Sequence, residues 1–147
     1  MSNAETLAWS TTLQVRDTCL CLHVQRAARA LARRFDELFR PLELTSGQFS
    51  LLMSLNRPVP PRIGDVSELL AMDRTTLTAA LKPLQRRGLV KVSIDKTDKR
   101  GRRLTLTASG RKLLAAAVPL WKREHAAIER LVMGEADRLR ADLAALS

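Results

Sequence analysis

The chain has 147 residues and a net charge of +10, with 46% apolar residues, 3% aromatic residues and no tyrosine. That length favours one domain, and a core built from Leu, Ala, Val and Ile leans helical. No apolar run is long enough to span a membrane and no charged-then-apolar leader opens the chain, so a cytoplasmic protein with no membrane partner is expected.

Residues 1–12 are polar and expected to be loosely held. From about Gln14 to Phe39, the apolar positions Leu20, Val24, Ala28, Leu31, Phe35 and Leu38 recur every three or four residues, the stripe of one long helix that Pro41 stops. "LTSGQFSLLMSLNR" starts the next helix, with Thr45 or Ser46 as cap, Gln48 near the capping-box position, and Phe49, Leu52, Met53 and Leu55 on the buried side. The three prolines of "RPVPPR" break it. "IGDVSELLAM" reads as a short helix with Ile63, Val66, Leu69 and Leu70 inward. "DRTTLTAALKPLQRRG" follows, with Asp73 as N-cap, a Leu77, Leu81, Leu84 stripe and Gly88 just past its end. Pro83 deletes a helical hydrogen bond and is expected to bend or end this helix early. "LVKVSI" and "RRLTLT" read as two strands joined by "DKTDKRG". A long helix entered through Thr107 and bent at Pro119 comes next, then a last helix carrying Ala136, Leu139, Leu143 and Leu146. The expected fold is mainly α, with one small antiparallel hairpin and no internal repeat.

The positive charge is concentrated. Between Arg62 and Lys112 stand thirteen cations and five acids, leaving +8 of the total +10 in about a third of the chain. Crowded like charges call for a polyanion to neutralise them. Two short helices with a tight turn, then a basic hairpin, make a winged helix-turn-helix. The second helix of such a unit enters the major groove of DNA. The residues that would meet base edges are Arg74, Thr75, Thr76 and Thr78, with Lys82 one turn later. Arginine suits guanine O6/N7, and threonine offers a hydroxyl together with a methyl for thymine.

"LTSGQFSLL", "MDRTTLTAALKPLQRRGLV" and "DKRGRRLTLTASG" together resemble the MarR family of bacterial transcription regulators, over about residues 17 to 147. The most specific mark is the wing pattern Asp98, Arg100, Arg103. The resemblance implies that the aspartate orients wing arginines and that an arginine near the tip reaches the minor groove, with Lys99, Arg100, Arg102 and Arg103 as candidates. It implies a single MarR-type domain over 1–147, with dimerisation helices at about 14–40 and 108–147 and a DNA-binding lobe at about 45–107. It implies a homodimer reading a near-palindromic double-stranded operator, and the surplus of apolar residues at Leu113, Leu114, Leu120, Trp121, Ile128, Leu131 and Val132 agrees with this.

Two effector readings accompany the resemblance. "CLCLHVQRAAR" is similar to the hydroperoxide-sensing OhrR branch, with Cys21 at the place of its reactive cysteine, eight residues before Arg29. That branch holds its thiolate with tyrosines, which this chain lacks, and Gln25 stands at one such place. Cys19 and Cys21 within one intact helix are poorly placed for a disulfide, and a buried free cysteine is the plainer alternative. Many members of the family bind small aromatic molecules, for which Gln25, Arg29, Phe49, Met53 and Trp121 are the candidates; each is also at home as core or rim. Cys19 and His23 share a helical face but make only half a metal site. No metal, no cofactor and no enzyme activity are expected. The competing reading is an architectural DNA binder without an operator, held by charge alone.

Overall fold

The computed structural model describes residues 6–147. In chain order it contains α1 (Trp9–Thr18), α2 (Leu20–Phe39), a 3-10 turn (Arg40–Leu42), α3 (Ser46–Leu55), α4 (Ile63–Leu69), α5 (Arg74–Arg86), β1 (Val90–Ile94), β2 (Arg102–Leu106), α6 (Ala108–Glu129) and α7 (Ala136–Ala145). The chain divides into two compact units, one ending at Arg34 and one formed by residues 35–147. Among the described residues no helix is long and apolar enough to cross a membrane.

The first unit differs from the single helix expected from Gln14 onward. Helix begins already at Trp9 and is interrupted at Cys19, which is extended at φ −68° and ψ 110°. Thr18 supplies a local cause. Its hydroxyl donates to the Gln14 carbonyl at 2.7 Å, a back-bond that competes with the helical ladder and bends helices. Of the expected loose terminus, residues 1–5 lie outside the described residues.

In the second unit, short signals stop and start the chain as their chemistry requires. Thr45 caps α3 by accepting from the Gln48 amide at 3.1 Å, while the Gln48 side chain accepts from the Thr45 amide at 3.0 Å, a complete capping box. Asp73 caps α5. After α5, Gly88 adopts φ +69°, the Leu89 amide returns to the Leu84 carbonyl at 2.9 Å and the Gly88 amide to Gln85 at 2.9 Å, which is the Schellman pattern. Pro83 does not end α5 early; the helix runs through it to Arg86. The carbonyl left without a partner belongs to Ala79, an exposed residue that water can reach, while the flanking Leu81 and Leu84 are fully buried. α6 likewise runs on through Pro119.

The core gathers Leu51, Leu52 and Leu55 of α3, Val66 of α4, Leu77, Leu81 and Leu84 of α5, Leu104 and Leu106 of β2, and Leu114 and Ala117 of α6. Leu69, expected inward, is 60% exposed; α4 spans only two turns, and Val66 alone of its residues is buried. β1 and β2 pair antiparallel from Val90↔Leu106 to Ile94↔Arg102. The proline linker adds a further rung, because Leu104 donates to the Pro61 carbonyl at 3.0 Å and Arg62 bridges to Arg103. Prolines suit this edge position, since they accept but cannot donate.

The first turn of α6 sits hard against the hairpin. A Cβ at Gly110 would lie 2.3 Å from the Leu89 carbonyl oxygen and 2.8 Å from Leu106 Cδ1. Gly110→Ala is therefore expected to destabilise the protein by about 1–3 kcal/mol, as overpacking of a close contact does. A urea titration with unchanged m-value checks it; a loss below about 0.5 kcal/mol, the range of neutral surface changes, would contradict the close packing.

Candidate nucleic-acid interface

The turn between α4 and α5 is built by its own backbone. Ala71 takes the left-handed conformation at φ 49°, the Met72 amide returns to the Ser67 carbonyl at 2.9 Å, and the Ser67 hydroxyl donates to the Met72 carbonyl. A left-handed alanine is strained, and these bonds hold it in place. Asp73 then opens α5 by accepting from the Thr76 amide at 2.8 Å and from the Thr76 hydroxyl at 2.7 Å. Those two bonds, the amide first, hold the Asp73 carboxyl below its usual pKa range.

With Leu77, Leu81 and Leu84 buried, the other side of α5 is exposed and presents Arg74, Thr75, Thr78 and Lys82. The Thr76 hydroxyl is spent on the cap, so that residue offers its methyl. The Arg74 guanidinium lies close to Gly64 of α4, where a Cβ would come within 3.0 Å of Nη2. The glycine makes room for it.

The hairpin is organised by an acid that the sequence reading counted only as charge. The Asp95 carboxylate is 97% buried at the base of the tip. Its Oδ1 accepts from the Thr97 amide and hydroxyl, each at 3.0 Å. Its Oδ2 faces Arg62 Nε at 3.0 Å and Arg103 Nε at 3.2 Å. Those contacts lack the alignment of hydrogen bonds, so the oxygen is held by two positive charges rather than by directed donors. Arg103 also donates to the Pro60 carbonyl at 2.8 Å. The Thr97 amide, then its hydroxyl, then Arg103 and Arg62 outweigh burial and lower the Asp95 carboxyl to about 2.

This corrects the role expected for Asp98. Its carboxylate accepts from the Arg100 backbone amide at 3.0 Å, and its carbonyl accepts from the Gly101 amide at 2.9 Å. Asp98 shapes the tip; Asp95 grips the arginines. The four wing cations therefore differ. Arg103 is tied to Asp95. Arg102 folds back on the carbonyls of Lys99 and Gly101 at 3.3 and 3.1 Å. Lys99 and Arg100 are exposed, and among the described residues neither side chain has an acidic partner. An aspartate ending a strand, with arginines nearby in a proline linker and in the opposing strand, was the signal available for Asp95.

The effector candidates fall in separate places. Phe49, Met53 and Trp121 line an apolar cleft of about 540 Å³ together with Leu69, Val118 and Lys122. Phe49 and Trp121 also belong to a ladder of stacked rings from Phe35 through Phe39 to His125, with centroids 4.6–6.3 Å apart. Gln25 and Arg29 lie in the first unit. There the Gln25 amide donates to Cys21 Sγ at 3.1 Å and Arg29 donates to the Gln25 carbonyl oxygen at 3.1 Å. His23 Nδ1 lies 2.7 Å from the Cys19 carbonyl, an acceptor, so that nitrogen carries a proton.

A helix-turn-helix followed by a basic hairpin and a long return helix defines a winged helix-turn-helix protein. Residues 44–101 match the MarR family. Transcriptional regulator MosR of M. tuberculosis, solved in complex with DNA, is 38% identical, with 88% of this chain and 93% of that one aligned at a TM-score of 0.80. The repressor CouR, solved on a 23-mer DNA duplex, is 28% identical over 90% of this chain and 92% of its own, with a TM-score of 0.74. The HTH-type transcriptional regulator TtmR of Methylorubrum extorquens is 34% identical over 100 residues, 68% of this chain, and that match spans 51% of TtmR's own length. The chain belongs to the MarR family.

The Asp95 cluster makes a pH prediction with a definite sign. A carboxyl lowered from 3.8 to about 2 contributes stability above its unfolded value and loses that contribution as pH falls through its folded value. The protection factors of the hairpin amides, exchange rates corrected for the intrinsic rate at each pH, are expected to fall between about pH 4 and 2 in the wild type. In Asp95→Asn the hairpin should already be loosened at neutral pH, without a further change in that window. Equal acid sensitivity in both proteins would remove Asp95 from the wing's support.

Proposed function

We propose that the chain is a dimeric, sequence-specific DNA-binding transcription regulator of the repressor type, acting in the cytoplasm. The observation that carries this reading is the pairing of an exposed Arg74, Thr75, Thr78, Lys82 surface on a capped helix with a hairpin tip whose Lys99 and Arg100 have no acidic partner among the described residues. Arg74 and the threonines read base edges in the major groove. Arg100 is the arginine free to enter a narrow minor groove, Lys99 and Arg102 supply phosphate contacts, and Arg103 acts from behind by fixing the hairpin. The winged lobe spans about 45–107. The segments at about 14–40 and 108–147 form the dimer, for which Leu131, Met133, Leu139, Leu143 and Leu146 offer exposed apolar surface. Two recognition helices one DNA turn apart, roughly 34 Å, then read a near-palindrome.

Release from DNA follows from a population shift toward a dimer whose helices no longer match the half-sites. A small, largely apolar effector fits the cleft of Phe49, Met53 and Trp121, with Lys122 for an anionic group. Cysteine oxidation is a second route, for which Cys19 at the break between α1 and α2 means that the two thiols do not share one intact helix. In that step a hydroperoxide takes two electrons and two protons from the two thiols. It yields the disulfide, an alcohol and water.

Retention of sheared genomic DNA by the reduced protein at moderate salt, followed by sequencing, tests the operator. A few near-palindromic sites are expected; broad, salt-sensitive retention without a motif would favour an architectural binder. Arg74→Ala is expected to flatten the preference at one base pair per half-site, a change of about 1–3 kcal/mol in discrimination. A uniform loss across all sequences would contradict base readout by Arg74.

A further inference from the structure

We propose that the base of the hairpin, away from its tip, carries a binding site for a small oxyanion, a phosphate or carboxylate group, held by Arg57 and Arg111. A groove of about 180 Å³ is lined there by Asn56, Arg57, Thr105 and Arg111, between the end of α3, β2 and the start of α6. It shares no residue with the apolar cleft.

Both guanidiniums are held by their own backbone surroundings. Arg57 Nε donates to the Ser54 carbonyl at 3.0 Å, and Arg111 Nη1 donates to the Leu106 carbonyl at 2.8 Å. Each guanidinium has five N–H donors, so the anchors orient it and leave the rest of the fork for a ligand. Lys91 stands directly opposite Thr105 in the β1–β2 register and therefore on the same face of the hairpin.

No acid lines the groove, and among the described residues neither Arg57 nor Arg111 has an ion-pair partner. The first turn of α6 contains no acidic residue. Its N-terminus is the positive end of the helix dipole, where cations are disfavoured and anions stabilised. The chain nevertheless places Arg111 and Lys112 there. Two oriented forks and a positive helix end at a small groove match bidentate oxyanion recognition. The groove admits an anionic group rather than a large aromatic body.

The test uses the full chain without DNA, so it stands whether or not the operator reading holds. Inorganic phosphate is titrated against chloride at matched ionic strength while the arginine Nε–Hε resonances are followed by NMR. Arg57 and Arg111 are expected to shift together along one saturable curve while Arg138 of α7 stays still. In Arg111→Gln the saturable response of Arg57 is expected to vanish, and in Arg57→Gln that of Arg111. Shifts that are linear in phosphate, or equal at every arginine, would overturn the site, and the wild-type titration decides this even if a variant fails to fold. A DNA duplex added in a second arm separates the sources. Movement of the same pair by the duplex, reversed by phosphate, assigns the site to the DNA backbone; no movement assigns it to a free small anion.

Discussion

The carboxylate of Asp95 joins three parts of the chain that are distant in sequence: the proline linker through Arg62, strand β2 through Arg103, and its own turn through Thr97. Opposite charges at about 3 Å attract, and the Asp95 carboxylate, only 3% exposed, would be left buried and uncompensated without the two arginines. A two-stranded hairpin is marginal by itself in water. This one is stapled next to its tip by the carboxylate and along one edge by the Pro61 carbonyl, which ties it to the linker that enters α4. The two arginines beside the tip share one internal carboxylate, which offsets part of the positive charge next to Lys99 and Arg100.

That division of labour explains how the same residue type serves opposite purposes within a few positions. Arg62 and Arg103 are structural cations, matched to an internal anion. Arg102 closes the tip on its own carbonyls. Lys99 and Arg100 have no internal anion among the described residues, and α5 has a polar outer face over a fully buried leucine stripe. Exposed cations left unmatched in this way attract a polyanion. Membership of the MarR family, and the alignment with MosR over most of both chains, place the chain among regulators of this build.

Local chemistry in the sequence was the legible part. The capping box at Thr45 and Gln48, the Asp73 cap, the Gly88 terminator and the leucine stripe of α5 each have a short-range cause, and each stands as its residues imply. The failures came where tertiary context outweighed a local rule. Pro83 was expected to bend or end its helix, but α5 continues to Arg86; the lost hydrogen bond falls on Ala79, an exposed residue, while Leu81 and Leu84 are buried. Leu69 fits an apolar stripe, but α4 is too short to bury it. The break at Cys19 depends on a Thr18 back-bond that apolar periodicity does not register. For the site, charge counting located the basic hairpin, but could not sort its arginines. That sorting depends on Asp95 meeting Arg62 across more than thirty positions of chain, a contact that no spacing rule contains.

The measurement that bears most directly on the central claim is the salt dependence of binding to an enriched genomic site, for the wild type and for a variant with Lys99→Ala and Arg100→Ala. If the tip meets DNA while Arg103 stays bound to Asp95, the slope of log K against log salt becomes shallower by about 2 per protomer, roughly 4 for a dimer with both wings on DNA, on removing the tip cations, and by much less for Arg103→Lys. An unchanged slope in the double variant, with folding intact, would take the wing tip out of the DNA interface and contradict the account.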